Sequence, residues 1–226
     1  MSVTTFVFDA YGTLFDVAAA ARRAAADPAN GLPAEVWPRL AEDWRRKQLE
    51  YTWLRTIMGA YADFATVTAD ALDWALEQHR LTDPALRQRL LDLYQDLPAY
   101  PEVPAVLANL RASGYRLAIL SNGTPAMLAS ATRSAGVATL IEAALSVDPL
   151  RQFKPLAAVY GLVEQNLGVA PRHVMFVSSN GWDIAGAARF GFKTTWVNRA
   201  NLPQDRLPHG PLNTIPDLTH LPRLLS

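Results

Sequence analysis

The chain contains no cysteine, which excludes a disulfide framework, a thiolate nucleophile and any cysteine metal site. Neither sign of charge is in excess. Lys and Arg number 21 and Asp and Glu number 21, a net charge of +0, so there is no electrostatic footprint for nucleic acid or an acidic membrane surface. No apolar run reaches the roughly 18 residues of a membrane span. The start, MSVTTFVFDA, has neither the basic segment nor the apolar stretch of a secretory signal. A Gly-x-Ser-x-Gly elbow is missing, which removes the usual serine-hydrolase reading. The four histidines, His79, His173, His209 and His220, lack ligand spacing and read as solvated or turn residues. The expectation is a cytoplasmic protein with no metal and no cofactor, and 226 residues suffice to bury a sizeable core.

What is present is rhythm. Short β-branched or aromatic runs at 4–8, 116–120, 144–147, 173–177 and 194–197 read as strands. After residue 100 they alternate with helical stretches at 104–112, 125–134, 157–167 and 184–190, and Gly114, Gly136, Gly168 and Gly191 sit just past these as helix stops. Near-continuous apolar strands alternating with helices mean a parallel sheet covered on both faces. Residues 17–98 break the rhythm. They lack strand patterns, and Val36, Leu40 and Trp44, then Leu49 and Trp53, recur at four-residue spacing, marking an amphipathic helix. Asp83-Pro84 is an N-cap followed by a first-turn proline. This all-helical insert reads as a cap over the strand ends, with Trp37, Trp44 and Trp53 as core or dimer contacts. The stretch 203–216 reads as a proline-rich surface loop.

Each inner strand ends in reactive residues. Asp9 follows the first, with a glycine-assisted turn and Thr13 just beyond. Ser121-Asn122-Gly123 follows the second, Phe153-Lys154-Pro155 lies past the third, and Ser178-Ser179-Asn180-Gly181-Trp182-Asp183 closes the fourth. Taken singly, Ser121-Asn122-Gly123 is an ordinary turn, Lys154 a solvated lysine and Asp183 a first-turn helix acid. Parallel strands carry all four ends to one edge, where open α/β sheets bind ligands, and a carboxylate there can act as a covalent nucleophile.

These motifs, in this order, resemble the haloacid dehalogenase superfamily. Within it, the chain is similar to the L-2-haloacid dehalogenases through Ser178-Ser179-Asn180-Gly181-Trp182-Asp183 and through the helical stretch Trp44-Arg45-Arg46-Lys47-Gln48-Leu49-Glu50-Tyr51-Thr52-Trp53-Leu54-Arg55. The resemblance covers essentially the whole chain. It implies a Rossmann-like α/β core formed by 1–16 and 99–226, with an inserted helical cap over 17–98. Magnesium-dependent phosphatases of the superfamily carry acids where this chain has Tyr11 and Ser179, so a phosphatase is the weaker alternative. A non-catalytic dimeric binding module would be marked by loss of Asp9, Lys154 or Asp183, and all three are present.

The resemblance further implies a two-step hydrolysis of short L-2-haloacids, haloacetates included. Asp9 displaces the halide with inversion to form an ester, and water activated by Asp183 releases the D-2-hydroxy acid. Lys154 and Ser121 hold the substrate carboxylate, while Arg45, Asn122 and the edge of Trp182 receive the halide. Tyr11, Leu49, Phe64 and Trp182 form apolar walls, and Thr13, Ser178, Asn180 and Tyr160 orient carboxylates and ester. The partners so implied are a small haloacid, a halide ion and a second copy of the chain in a homodimer. Arg46 stands where related cap helices are expected to carry a neutral glutamine. Its place next to Arg45, about 100° around the helix, puts it at the cap edge or in solvent.

Overall fold

The computed structural model describes residues 2–225. The strands are β1 (Thr5–Phe8), β2 (Arg116–Ser121), β3 (Ala143–Ser146), β4 (Val174–Ser178), β5 (Lys193–Val197) and β6 (Asn213–Ile215). They form one sheet in the order β3-β2-β1-β4-β5-β6, and every neighbouring pair is parallel. Parallel strands need both faces covered, and β1, at the centre, has no exposed residue: Thr5, Phe6, Val7 and Phe8 are all buried. The covering helices are α5 (Val103–Ala112), α6 (Pro125–Ser134), α7 (Ala157–Leu167) and α8 (Gly181–Phe190). From β1 the connections run outward through α5 and α6 to one edge, then return through α7 and α8 to the other. Right-handed crossovers in opposite directions place the two helix pairs on opposite faces. The order therefore reverses between β1 and β4. That switch point leaves a crevice beyond the strand ends, because the neighbouring connections depart to opposite sides.

Between β1 and β2 the chain forms α1 (Ala19–Ala25), α2 (Trp37–Met58), α3 (Phe64–Gln78) and α4 (Pro84–Gln95). Asp63 and Asp83 cap α3 and α4 by accepting from the backbone N–H of Thr66 (2.7 Å) and Ala85 (2.9 Å). The helical insert leaves and rejoins the sheet domain at one place. Asp16 N–H donates to Pro98 C=O at 3.0 Å, and Tyr100 N–H donates to Leu14 C=O at 2.9 Å. Among the described residues no helix is long and apolar enough to cross a membrane.

The apolar spacing in α2 resolves into two adjacent stripes. Leu40, Trp44, Gln48 and Thr52 are buried against the rest of the insert, with Trp44 Nε1 donating to Thr68 C=O at 2.9 Å. One residue further round, Arg45, Leu49, Trp53 and Thr56 face the sheet domain. Trp53 meets Trp182 edge-on at 5.3 Å, and Thr56 Oγ1 accepts from Phe153 N–H at 3.2 Å.

Element boundaries mostly fall within a residue of the expectation, with two corrections. The proline-rich stretch 203–216 is not all loop, because Asn213–Ile215 forms edge strand β6 on β5. Three residues with proline on both flanks carry too little periodicity to announce a strand. Helix α8 begins at Gly181 rather than 184, which moves Asp183 inside its first turn. Among the histidines, His209 lies in an exposed turn and His220 is half-buried in a 3-10 helix beside Asp217 at 3.3 Å, whereas His79 ends α3 half-buried against Asp43 at 3.0 Å.

Candidate active site

Asp9 is the first residue past β1, and its carboxylate lies at the β1/β4 switch point, 7% exposed. The turn that follows needs Gly12, whose φ of +89° lies in the left-handed region. Folding the chain back at Gly12 brings Thr13 under Asp9. Thr13 Oγ1 donates to Asp9 Oδ2 at 2.9 Å and accepts from Ser179 N–H at 2.8 Å, tying the nucleophile turn to the end of β4. Asn180 Nδ2 donates to the same Oδ2 at 3.2 Å.

Lys154 is 1% exposed, and its ammonium bridges Asp9 Oδ1 at 3.0 Å and Asp183 Oδ2 at 2.9 Å. Burial works against that positive charge, but Asp183 and Asp9 together outweigh it, and the lysine pKa lies above its ordinary value. Asp183 is fully buried and two more donors fix it. Ser178 Oγ reaches Oδ2 at 3.0 Å, while Tyr160 Oη reaches Oδ1 at 2.8 Å and the backbone carbonyl at 3.1 Å. Burial raises the pKa of Asp183, Lys154 opposes the rise and the like charge of Asp9 adds to it. Tyr160 is pushed well up by burial and by Asp183, so it stays a donor.

The cavity above Asp9 is narrow. Its floor is Asp9, Ser121, Asn122 and Asn180, and its walls and roof are Tyr11, Arg45, Leu49, Phe64 and Trp182. Ser121 Oγ accepts from Gly123 N–H at 3.0 Å, which leaves its own proton to donate. Asn122 spends its oxygen on Lys154 N–H at 3.1 Å, which leaves the amide NH₂ to donate. Tyr11 stacks on Tyr94 (5.8 Å, 15° between planes) and packs against Phe64 at 5.6 Å. That ring position requires Gly123, since a Cβ there would fall 2.7 Å from Tyr11 Cε2. A second, larger groove between α3, α4 and α6 is lined by Thr68, Leu91, Tyr94, Met127 and neighbours, with no carboxylate, lysine, arginine or histidine among them.

Every residue singled out from the sequence for the site thus lies in this cluster or on its walls. Arg46 does not. Its side chain is half exposed, ion-paired to Asp43 at 2.8 Å and stacked over Trp74. Sequence reading passed over Gln48, Thr68 and Tyr94, which form a buried hydrogen-bonded group behind Arg45. It also passed over Arg199, which donates to Thr13 C=O at 3.0 Å and pairs with Glu102 at 2.7 Å. The signal for Gln48 was available: a polar residue interrupts the buried stripe Leu40-Trp44-Thr52, three positions after Arg45.

A parallel sheet of this order, with a carboxylate at the switch point, a buried lysine and second carboxylate beside it, and a helical roof, is the arrangement of an α/β enzyme with its site at the strand ends. A family model described as haloacid dehalogenase-like hydrolase matches residues 3–191, and the chain belongs to that family. Among curated relatives it is 44% identical over 220 residues to (S)-2-haloacid dehalogenase 1 of Pseudomonas sp. (strain CBS-3), covering 97% of this chain and 95% of the relative. It is 37% identical to haloacetate dehalogenase H-2 of Moraxella sp. (strain B), covering 99% and 98%. The L-2-haloacid dehalogenase of Xanthobacter autotrophicus with chloropropionic acid covalently bound superposes with a TM-score of 0.88 at 37% identity, covering 99% of this chain and 98% of that one.

The magnesium that phosphatases of this superfamily use does not fit here. A divalent site needs several hard oxygen donors. Position 11 is a phenol kept neutral by burial, and position 179 is a neutral hydroxyl turned toward Thr13 Oγ1 at 3.2 Å. Asp9 and Asp183 already share the Lys154 ammonium. Among the described residues no group of three or more acid, histidine or cysteine side chains gathers around one point.

Proposed function

We propose that the protein is an (S)-2-haloacid dehalogenase acting on short-chain L-2-haloalkanoic acids, haloacetates included. The observation that carries this reading is the ammonium of Lys154 between Asp9 and Asp183, under a roof that supplies Arg45. A carboxylate nucleophile attacking an anionic substrate needs fixed positive charge on one side and a dry receptor for the leaving anion on the other.

In the first step Asp9 attacks C2 from the side opposite the halide. The C–O bond forms as the carbon–halogen bond breaks, the electron pair leaves with the halide, and the carbon inverts. Ser121 and Lys154 hold the substrate carboxylate. Arg45, the Asn122 amide and the edge of Trp182 meet the halide, between the apolar surfaces of Tyr11, Leu49 and Phe64. In the second step water attacks the side-chain carbonyl carbon of Asp9 and gives its proton to Asp183. The bond from that carbon to the oxygen attached to C2 then breaks. That oxygen takes the proton back from Asp183 and leaves as the hydroxyl of the D-2-hydroxy acid, and the remaining carboxyl proton passes to solvent, restoring the Asp9 carboxylate. Thr13 and Asn180 hold the Asp9 carboxylate, and Ser178 and Tyr160 hold Asp183 for this exchange. Leu54, Ile57 and Met58 are exposed together near the end of α2, which supports association of two copies through the helical insert.

The deciding experiment compares halide release from the two enantiomers of 2-chloropropionate with hydrolysis of a phosphate ester, all in excess chelator. Chloride from the L form alone, with inverted product and no phosphate release, is expected. Phosphate release with no chloride would overturn the proposal.

A further inference from the structure

Among the described residues Gln48 is the only buried amide side chain in the helical insert, at 1% exposure. It sits on a stripe where leucine would be the simpler filler, since an unbonded buried amide costs several kcal/mol and a bonded one returns little. All its hydrogen-bonding groups are used. Oε1 accepts from Arg45 Nη1 at 2.8 Å, and Nε2 donates to Thr68 Oγ1 at 2.7 Å and to Tyr94 Oη at 3.0 Å.

The direction of this amide is forced. Thr68 gives its only proton to Phe64 C=O at 2.6 Å, so its oxygen can only accept, and the group facing it must be the NH₂. A flipped amide would set a donor against a guanidinium that can only donate. The carbonyl end of Gln48 therefore points at Arg45. Arg45 also donates from Nη2 to the Tyr11 carbonyl at 2.9 Å. Both acceptors are uncharged. They fix the plane of the guanidinium without cancelling its charge. The common helix partner three residues from an arginine, a glutamate, would have formed an ion pair and cancelled it.

Resting on the dehalogenase reading above, the geometry points to Gln48 as a positioning residue: it holds Arg45 at the cavity roof and keeps the full positive charge free for the departing halide. Its role belongs to carbon–halogen cleavage and not to ester hydrolysis, because the network ends at Arg45 and does not touch Asp183, Lys154 or Tyr160.

The test is single-turnover kinetics with enzyme in excess over L-2-chloropropionate and L-2-bromopropionate, following halide release and, by intact mass, formation and decay of the Asp9 ester. Three variants are read together: Gln48→Met removes the acceptor, Gln48→Glu keeps shape but adds charge, and Thr68→Val frees the amide to turn. Displacing the guanidinium by about an ångström is expected to slow alkylation roughly 10²-fold in Gln48→Met. Gln48→Glu should be slower still and Thr68→Val less affected. In all three the ester, once formed, should hydrolyse at the wild-type rate, and chloride, the poorer leaving group, should suffer more than bromide. Folded Gln48→Glu and Thr68→Val that alkylate at the wild-type rate, or that slow both steps equally, would overturn the role of Gln48 alone. A wild-type enzyme that never forms the Asp9 ester would overturn the dehalogenase reading instead.

Discussion

Asp9 and Asp183 are held together by a single cation: Lys154 Nζ lies 3.0 Å from one carboxylate and 2.9 Å from the other. Two acids under one ammonium leave the buried centre with an excess negative charge. Asp183 is the more deeply buried acid, and burial raises its pKa.

Replacing the shared cation should therefore damage both stability and chemistry. Lys154→Met leaves two buried carboxylates facing each other, and breaking a buried pair costs about 3–5 kcal/mol. The sign with pH follows from Asp183. Its folded pKa already lies above its unfolded value and would rise further, so the folded variant binds protons more tightly and regains stability as pH falls from neutrality toward 4. Urea titrations at several pH values measure this, and a variant losing stability over that interval would contradict it. Halide release should fall to the assay floor.

The activity profile of the unaltered enzyme should be broad and displaced to the alkaline side. On the acid side, water activation needs ionised Asp183, so activity rises through a pKa above the ordinary carboxylate value of 3.8. On the alkaline side, charge on Lys154 is lost only as pH passes above the ordinary lysine value of 10.5. Steady-state kcat against pH checks the acid limb, and kcat/KM the alkaline one. An alkaline limb near neutrality would show that some other group controls the first step.

Arg45→Ala and Arg46→Ala should part company. Removing one preorganised donor for a developing anion costs about 10²–10³ in rate, and Arg45 lines the cavity roof. The Arg46 side chain is 51% exposed and paired with Asp43 and Glu50. Exposed pairs of this kind contribute about 0–1 kcal/mol to stability, and kcat should hardly change. Equal losses at both positions would contradict the helix orientation.

Oxygen tracing isolates the covalent step. In a single turnover in ¹⁸O-water, the hydroxy acid should emerge unlabelled and the Asp9 peptide should gain the label. Asp183→Asn should alkylate and then accumulate the ester, seen as added mass on the intact protein. Label in the first-turnover product would leave Asp9 or Asp183 as no more than a general base for direct attack by water.

Gly123→Ala should narrow the site from below. Its Cβ would lie 2.7 Å from a Tyr11 ring already packed against Tyr94 and Phe64. Overpacking of this kind costs about 1–3 kcal/mol, and KM should rise, more for 2-chlorobutyrate than for chloroacetate. An unchanged KM series would show that Tyr11 does not set the wall.

Much of this was legible in the sequence, for definite reasons. Buried parallel strands such as Thr5–Phe8 and Val174–Ser178 are nearly all apolar, and the polar residues that follow them mark the strand ends whose convergence parallel topology guarantees. What escaped depended on orientation that no linear pattern carries. The apolar spacing of α2 showed a helix, yet only packing separates the stripe at Leu40, Trp44 and Gln48 from the neighbouring one at Arg45, Leu49 and Trp53. Gln48, Thr68 and Tyr94 come from three helices, and Arg199 lies 186 residues from the Thr13 it bonds. The edge strand β6 escaped because three residues between prolines bury only Ile215.

The bond from Arg45 to the Tyr11 carbonyl also works as an interlock. The roof contributes the guanidinium, and the floor contributes the peptide two residues beyond the nucleophile. Seating the roof, excluding water and placing the halide receptor are therefore one event. With the roof lifted, Asp9 would face its surroundings without a receptor for the leaving group, inert toward ordinary electrophiles. On the function proposed above, enclosure would then switch on reactivity, and a small alkylating acid would be attacked only after it is isolated from its surroundings.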